Sequence, residues 1–291
     1  MNQPLVSLIT VNYRQTKVTL ELLESIRKNS FTSLEVILID NDPAELFDFE
    51  SVLPGLRLIR TSENLGFAGA NNLGMRAASG EYFFLVNNDT ELNPHLIHQL
   101  LGCFTCPDIA AVSPVIRYFD EQEKVQFAGF TPIHPITGRN RLIREQTRNT
   151  TPTPYFHGAA VMLPAWIVKE CGLMPEDYFL YYEELDWSEQ IRKKGYRLLV
   201  CQYAFILHKE SVSTVKNSPL KLYYQTRNRV HFMRKNSGSY LLFLAFFCLI
   251  SLPKKAFSLR ITGSKPHQQA FKNAINDSLF FPKFGKQDFA A

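Results

Sequence analysis

The sequence predicts an α/β domain on an open, doubly wound sheet, followed by a helical tail. Three observations point there. Between Val6 and Asp89, short runs of apolar and β-branched residues alternate with stretches of helical spacing, the pattern of strands buried on both faces by crossover helices. Several of these runs stop abruptly at polar or acidic residues, where ligands sit in such sheets. Hydrophobic residues make up 45% and charged residues 20% of the 291-residue chain, which supports a sizeable core and excludes wholesale disorder.

Val6 to Val11 reads as a buried strand closed by Asn12 and Tyr13. Thr16 is a candidate N-cap for a helix in which Val18, Leu22, Leu23 and Ile26 share a face. Leu34 to Ile39 forms the next strand, ending at Asp40-Asn41-Asp42-Pro43, and Leu56 to Arg60 a third. Asn64-Leu65-Gly66 then leads into a helix through Met75 and Ala78. Gly80 stops that helix, and Glu81 to Val86 makes a fourth strand ending at Asn87-Asn88-Asp89. Residues 117–155 lose this alternation and read as an irregular hairpin or mobile loop. Gly158 to Leu163 is a small apolar patch before a helix from Ala165. Glu183-Glu184-Leu185-Asp186 opens a helix that runs to Lys194, with acids in its first turn complementing the dipole. Two strands, Tyr196–Val200 and Ala204–Leu207, then lead to His208.

Lys and Arg number 32 against 27 Asp and Glu, a net charge of +5. That balance suits an anionic small molecule or a membrane surface, and the chain lacks the dense basic tract of a nucleic-acid binder. Five cysteines, an odd number, argue against a disulfide framework. Cys103 and Cys106 form a lone C-x-x-C that reads as ordinary thiols near a helix end. The N-terminal stretch shows neither a basic n-region nor a small-residue cleavage site, so the expected location is the cytoplasm. The apolar run Tyr240–Leu252 has 13 residues; at ~1.5 Å per residue it reaches ~20 Å, short of the ~30 Å hydrocarbon core. It reads as a buried helix or, with Lys254 and Lys255 beside it, as a helix lying on a membrane surface.

Asp89, Glu184 and His208 each emerge at an element terminus and suggest one cleft holding a cation. One aspartate and one imidazole make a sparse site, and the natural source of further oxygens is a diphosphate, as is common for Mg²⁺. Gly66-x-x-Gly69 lacks the dinucleotide-binding spacing and follows the third strand rather than the first.

Six stretches in order give the chain a family likeness: VSLITVNYR, VILIDND, NLGFAGANNLGMRAASGEYFFLVNNDTELNP, HGAAVMLP, YFLYYEELDWSEQIRKKGYRLLVCQYAFILHKES and YYQTRNRVHFMRKN. The sequence resembles an inverting glycosyltransferase of family 2 with the GT-A (nucleotide-diphospho-sugar transferase) fold, within the bacterial rhamnosyltransferase-like branch. The resemblance covers Pro4 to about Asn236. It implies a GT-A domain over 1–236 and a helical, membrane-associating tail over 237–291. It further implies that Thr10, Asp40, Asn88, Asp89 and Arg227 hold the nucleotide-sugar donor, Asp40 facing the base, with Arg229 a weaker candidate. Asp89 and His208 would hold Mg²⁺ or Mn²⁺, and Glu184 would be the general base. His157, Gly158, Glu183, Asp186 and Trp187 would lie on the acceptor side.

Three positions depart from the family pattern. Asn87 replaces the first aspartate of the metal motif, Glu184 replaces the usual aspartate at the base, and Pro164 stands where many relatives have arginine. The extra methylene of Glu184 moves its carboxylate by about 1.5 Å, which matters where misplacement by 1 Å costs ~10²-fold. The expected activity is sugar transfer, with rhamnose from dTDP-rhamnose the best match, to a hydroxyl of a lipid-linked polysaccharide at the inner face of the cell membrane. Two alternatives are a nucleotidyltransferase, for which TVNYRQT offers no glycine-rich triphosphate loop, and a degenerate homologue that only binds nucleotide sugars.

Overall fold

The computed structural model describes residues 3–42, 44, 46–209, 218–280, 282 and 285–286; Pro43, Glu210 and Ser211, named or quoted above, lie outside them. The N-terminal half contains β1 (Val6–Asn12), α1 (Thr16–Arg27), β2 (Leu34–Asp40), β3 (Arg57–Arg60), α2 (Gly66–Ala77), β4 (Tyr82–Val86), β5 (Thr90–Leu92) and α3 (Leu96–Leu101). There follow β6 (Ile109–Tyr118), β7 (Val125–Phe127), β8 (Thr151–Pro152), β9 (Ala160–Pro164), α4 (Ala165–Cys171), α5 (Glu183–Lys193) and β10 (Arg197–His208). Four helices close the chain: α6 (Pro219–Asn236), α7 (Tyr240–Phe246), α8 (Leu252–Thr262) and α9 (Lys265–Ile275).

Among the described residues, these strands form one sheet in the order β3-β2-β1-β4-β9-β6-β10-β5, with β7 on β6 and β8 on β10. β1, β2, β3 and β4 pair in parallel, which is why their sequences are continuous apolar runs. Successive residues enter opposite cores. Leu8, Val36 and Leu38 pack with Leu22, Leu23 and Ile26 of α1, while Ile9, Ile37 and Ile39 pack with Met75 of α2 and Trp187 of α5. β9 runs antiparallel to both β4 and β6, and β10 runs parallel to β6. The C-terminal ends of β1, β2, β4 and β10 and the N-terminal end of β9 therefore share one sheet edge. Asn12, Asp40, Asn87–Asp89, His157–Gly158 and His208 are brought there by topology.

The sequence reading misses β6 and splits β10, and the two errors have one cause. Pro114 lies in the middle of β6 and cannot donate to the ladder. β10 shifts register opposite it, between Cys201 and Phe205, so one bulged strand reads as two. The stretch 117–155 is the irregular hairpin: Gln126 and Phe127 are buried and Phe130 bridges to Leu142. Thr16 is the first helical residue of α1 rather than its cap. Cys103 and Cys201 are buried, Cys106 is exposed, and all five cysteines are free thiols.

Contacts cross the expected boundary at 236/237. Tyr178, Val230, Met233, Phe243 and Phe247 belong to one apolar cluster, and the Tyr223 hydroxyl donates to Asp277 (2.7 Å). The apolar run is also longer as a helix than as a string of apolar letters. Tyr240–Thr262 is continuously helical through a π-helical turn at Phe247–Ser251, 23 residues of mean hydropathy 1.7 in its most apolar window. By length and composition it can cross a membrane, yet Phe243 and Phe247 are docked on the domain.

Candidate active site

A chain of buried polar groups ties the sheet edge together. Asn12 Nδ2 donates to Asp40 Oδ1 (2.9 Å), the Thr19 hydroxyl to Asn12 Oδ1 (2.8 Å), and Asn88 Nδ2 to Thr19 Oγ1 (2.9 Å). Asp40 is 1% exposed, and its Oδ2 accepts no hydrogen bond, with Arg60 Nε at 3.8 Å. Burial raises its pKa, against the pull of Asn12 and Arg60. Thr10 Oγ1 is buried without a partner. Orphaned buried acceptors are costly in a folded chain and mark places where a ligand completes the bonding.

Beside this chain lies a cavity of about 190 Å³ lined by Val11, Tyr13, Asn41, Asn64, Phe67 and Asn88, among others. Thr10, Asp40 and Asp89 are not in its wall. Asn41 is the residue that sequence reasoning passed over. Its Oδ1 accepts from the Leu65 amide (2.9 Å), and its Nδ2 donates to Asn64 Oδ1 (3.0 Å), which fixes the loop before α2.

The Asp89–His208 pair tests the expected metal site. His208 Nδ1 donates to Gln126 Oε1 (2.9 Å), and Nε2 faces Asp89 Oδ1 at 3.3 Å. Asp89 Oδ1 itself is buried without a hydrogen bond. An unprotonated Nε2 and a buried carboxylate oxygen facing each other would fit a cation between them, and a histidine whose second nitrogen is held by a carbonyl is the usual arrangement at a metal. Among the described residues no three His, Cys, Asp or Glu side chains gather closely enough to hold an ion alone, so further oxygens must come from a ligand. Gln126 carried no signal in the sequence, because it sits in the hairpin where no periodicity marks it.

His157 lies next in line, its ring 6.3 Å from that of His208. Its Nδ1 accepts the Ala159 amide (3.1 Å), and burial, with His208 beside it, pushes its pKa down to about 3. It stays neutral. Gly158 brings the sheet edge close to Glu184: a Cβ there would stand 3.9 Å from Glu184 Cγ and 3.5 Å from Phe67.

Glu184 is presented by a strained turn. Phe179, Tyr181 and Tyr182 have φ of 65°, 68° and 79°, a region that bulky side chains avoid at a cost of about 1–3 kcal/mol each. The TRNR stretch of α6 holds it. Asn228 Nδ2 donates to the carbonyls of Tyr178 (3.1 Å), Leu180 (2.8 Å) and Tyr181 (2.8 Å), and Arg227 Nη2 to that of Tyr178 (2.7 Å). The Phe67 amide donates to Phe179 O (3.0 Å), and Gly66 admits no Cβ, which would lie 2.4 Å from that oxygen. Glu183 is 2% exposed and its pKa is raised well above the carboxylate range by burial and by Glu184. Glu184 is half-buried, and burial outweighs its main-chain hydrogen bonds to bring its pKa up to about 7.

Three expected site residues point elsewhere. The Arg227 guanidinium is occupied by Tyr178 O, Gly285 O (2.8 Å) and Asn228 Oδ1 (2.8 Å), so it braces the turn rather than facing the donor. Asp186 is fully buried and binds Lys235 (2.5 Å) and Asn236 (2.7 Å), tying α5 to α6. Trp187 is in the core with its Nε1 on Gly172 O (3.0 Å). Both face away from the cleft because they lie on the inner side of α5. Pro164 closes β9 at the end opposite the cleft, pairing with Tyr82, so the missing arginine does not alter the sheet edge.

The family model for glycosyl transferase family 2 matches residues 7–165, more than half of the chain. The chain belongs to glycosyltransferase family 2. It is 23% identical over 239 residues to the low-salt glycan biosynthesis hexosyltransferase Agl10 of Haloferax volcanii, covering 79% of this chain and 75% of that protein. It is 25% identical over 235 residues to an N-acetylglucosaminyl-diphospho-decaprenol L-rhamnosyltransferase of Mycobacterium tuberculosis, covering 71% and 76%. The mannosyltransferase PcManGT of Pyrobaculum calidifontis, solved with GDP-Man and Mn²⁺, superimposes with a TM-score of 0.61 at 16% identity, covering 97% of this chain and 89% of that one. The fold is GT-A, and the chain is a family 2 glycosyltransferase rather than a nucleotidyltransferase.

Proposed function

We propose that this family 2 enzyme transfers a sugar, with rhamnose from dTDP-rhamnose the best match, to a hydroxyl of a lipid-linked glycan with inversion at the anomeric carbon. The observation that carries this reading is the line of Asp89, His208, His157, Gly158 and Glu184 along one sheet edge. The donor's nucleoside lies against the ends of β1, β2 and β4, where Asp40 and Thr10 hold unpartnered acceptors and Asn88 lines the cavity.

Asp89 and His208 would hold a divalent cation, Mg²⁺ or Mn²⁺, with further oxygens supplied by the donor. When bound, that ion offsets the charge gained by the departing nucleoside diphosphate. Glu184, ionised, accepts the proton of the acceptor hydroxyl as its oxygen attacks the anomeric carbon on the face opposite the diphosphate. The transition state is oxocarbenium-like, and a single base with no covalent sugar–enzyme intermediate gives inversion. His157, held neutral, turns no positive charge toward the cation. Glu183, kept protonated beside Glu184, leaves the pair a single negative charge.

The mycobacterial relative's name specifies a diphospho-decaprenol acceptor, and the Tyr240–Thr262 helix exposes Leu241 (78%), Leu249 (77%) and Phe257 (67%). We place the enzyme on the cytoplasmic face of the cell membrane with that surface in the lipid boundary. The test is Glu184→Gln. Transfer from dTDP-rhamnose falls by about 10²–10⁴-fold, while dTDP-rhamnose binding in Mn²⁺ is unchanged; a variant that retains transfer removes Glu184 from the base role.

A further inference from the structure

Glu184 also lines a larger cavity, about 520 Å³, walled by Phe130, the 139–140 segment, the Tyr181–Tyr182 turn and helices α6, α8 and α9. Three cations line it: Arg139, Arg229 and Lys255. Arg229 is the informative one. It is 7% exposed, yet none of the described carboxylates pairs with it. Its guanidinium is fixed instead by neutral groups: Nε donates to Thr137 O (2.9 Å), Nη1 to Ser251 Oγ (3.2 Å) and Nη2 to Thr137 O. Phe243 and Phe247 lie at 5.5 and 5.4 Å from its centre. Burial and the neighbouring Arg139 push its pKa down to about 10, so it is still charged at neutral pH.

A buried cation with no anion beside it is unfavourable in a folded chain unless something outside the chain neutralises it. Arg139 and Lys255 are exposed and add positive charge at the same cavity, where the described lining contains one carboxylate, Glu184. The cavity wall holds both the proposed proton acceptor and the three cations, and α8, which supplies Leu252 and Lys255 to that wall, carries the exposed apolar residues Phe257 and Ile261.

We infer that this cavity is the acceptor subsite, and that Arg229, Arg139 and Lys255 bind the phosphate or diphosphate joining the acceptor sugar to its lipid. A ligand that carries a hydroxyl, an anion and an apolar chain matches this set of groups. The assignment rests on Glu184 being the base, since that residue fixes which end receives the sugar. The family resemblance implies a donor-phosphate role for Arg229, but it lines this cavity and not the smaller one lined by Asn41 and Asn88.

Binding of farnesyl diphosphate, farnesol and inorganic pyrophosphate to the full chain in detergent tests it, with dTDP and Mn²⁺ present to fill the donor side. Farnesyl diphosphate binds tighter than either other probe. Arg229→Gln weakens it about tenfold or more, as expected for a charge-assisted hydrogen bond. Arg139→Ala and Lys255→Ala, at exposed positions where folding is not at stake, each weaken it about threefold; farnesol binding does not change. Equal affinity of farnesyl diphosphate for the wild type and for Arg139→Ala/Lys255→Ala overturns the assignment. Pyrophosphate binding as tightly as farnesyl diphosphate makes this a free-phosphate site and also overturns it. So does a loss confined to binding of phosphatidylglycerol vesicles, which makes the cations a membrane contact. Glu184→Gln separates the two readings: transfer surviving that change with cation-dependent probe binding sinks the base alone, and transfer lost with cation-independent binding sinks the subsite alone.

Discussion

On the donor side of the cleft, candidate residues stand at strand ends: Asp40 closes β2, Asn88 and Asp89 follow β4, and His208 closes β10. On the proposed acceptor side, the cavity is assembled from a hairpin, three helices and a turn with left-handed aromatic residues. The first construction is local, since a parallel strand that ends in a polar residue delivers it to the cleft whatever the rest of the chain does. The second depends on contacts between residues some 50 to 90 positions apart, such as Asn228 with Tyr181 and Arg229 with Thr137. Changes on the acceptor side therefore affect stability and chemistry together, whereas changes on the donor side affect ligand binding with little cost to the fold.

The largest expected effect is at Asn228. Asn228→Leu removes three donated hydrogen bonds and leaves the Leu180 and Tyr181 carbonyls without this partner, which costs about 3 kcal/mol. Urea denaturation measures the loss. The turnover rate at saturating dTDP-rhamnose falls with it, because the turn no longer aims Glu184; unchanged stability contradicts the bracing role of α6. Next is Gln126→Leu, the donor-side counterpart. It frees His208 Nδ1 and weakens Mn²⁺ binding, read by electron paramagnetic resonance in the presence of dTDP, by about 10–100-fold. The unfolding midpoint moves far less than with Asn228→Leu, and a reversed order of the two stability losses breaks the comparison. The smallest effect is at the surface of the Tyr240–Thr262 helix. Leu249→Gln with Phe257→Gln reduces partition into phosphatidylglycerol vesicles by about tenfold and leaves folding intact, since both side chains are exposed. Unchanged partition removes this face from the membrane.

What the sequence made legible follows the same division. β1, β2, β4, α1 and α2 were readable because strands buried on both faces are unbroken apolar runs and amphipathic helices keep a 3.6-residue period. Asp40, Asp89, Glu184 and His208 were singled out because each ends or begins an element. β6 was invisible because Pro114 interrupts it. Arg227 was read as a phosphate ligand because an arginine's sequence position does not show that main-chain carbonyls take up its guanidinium. The same limit hid Asp186 and Trp187 in the core, and it hid Gln126, whose importance exists only through the ring it orients. The tail was read as 13 apolar residues, whereas the helix continues through Lys254, Lys255 and Arg260 to Thr262.

The central claim is that Glu184, held partly out of water, takes the acceptor proton. Such a base works only when ionised, and its pKa is raised to about 7, so activity is lost as pH falls. Folding responds with a definite sign as well: the native chain holds this proton where the unfolded chain, near the ordinary 4.5, has released it, so the group's contribution to stability declines as pH rises between those values. The most direct measurement is kcat/KM for sugar transfer from pH 5 to 9 at saturating Mn²⁺. The expected profile falls about tenfold per pH unit below an inflection near 7, with Glu184→Gln inactive throughout; a wild-type rate that stays flat down to pH 5 contradicts the account.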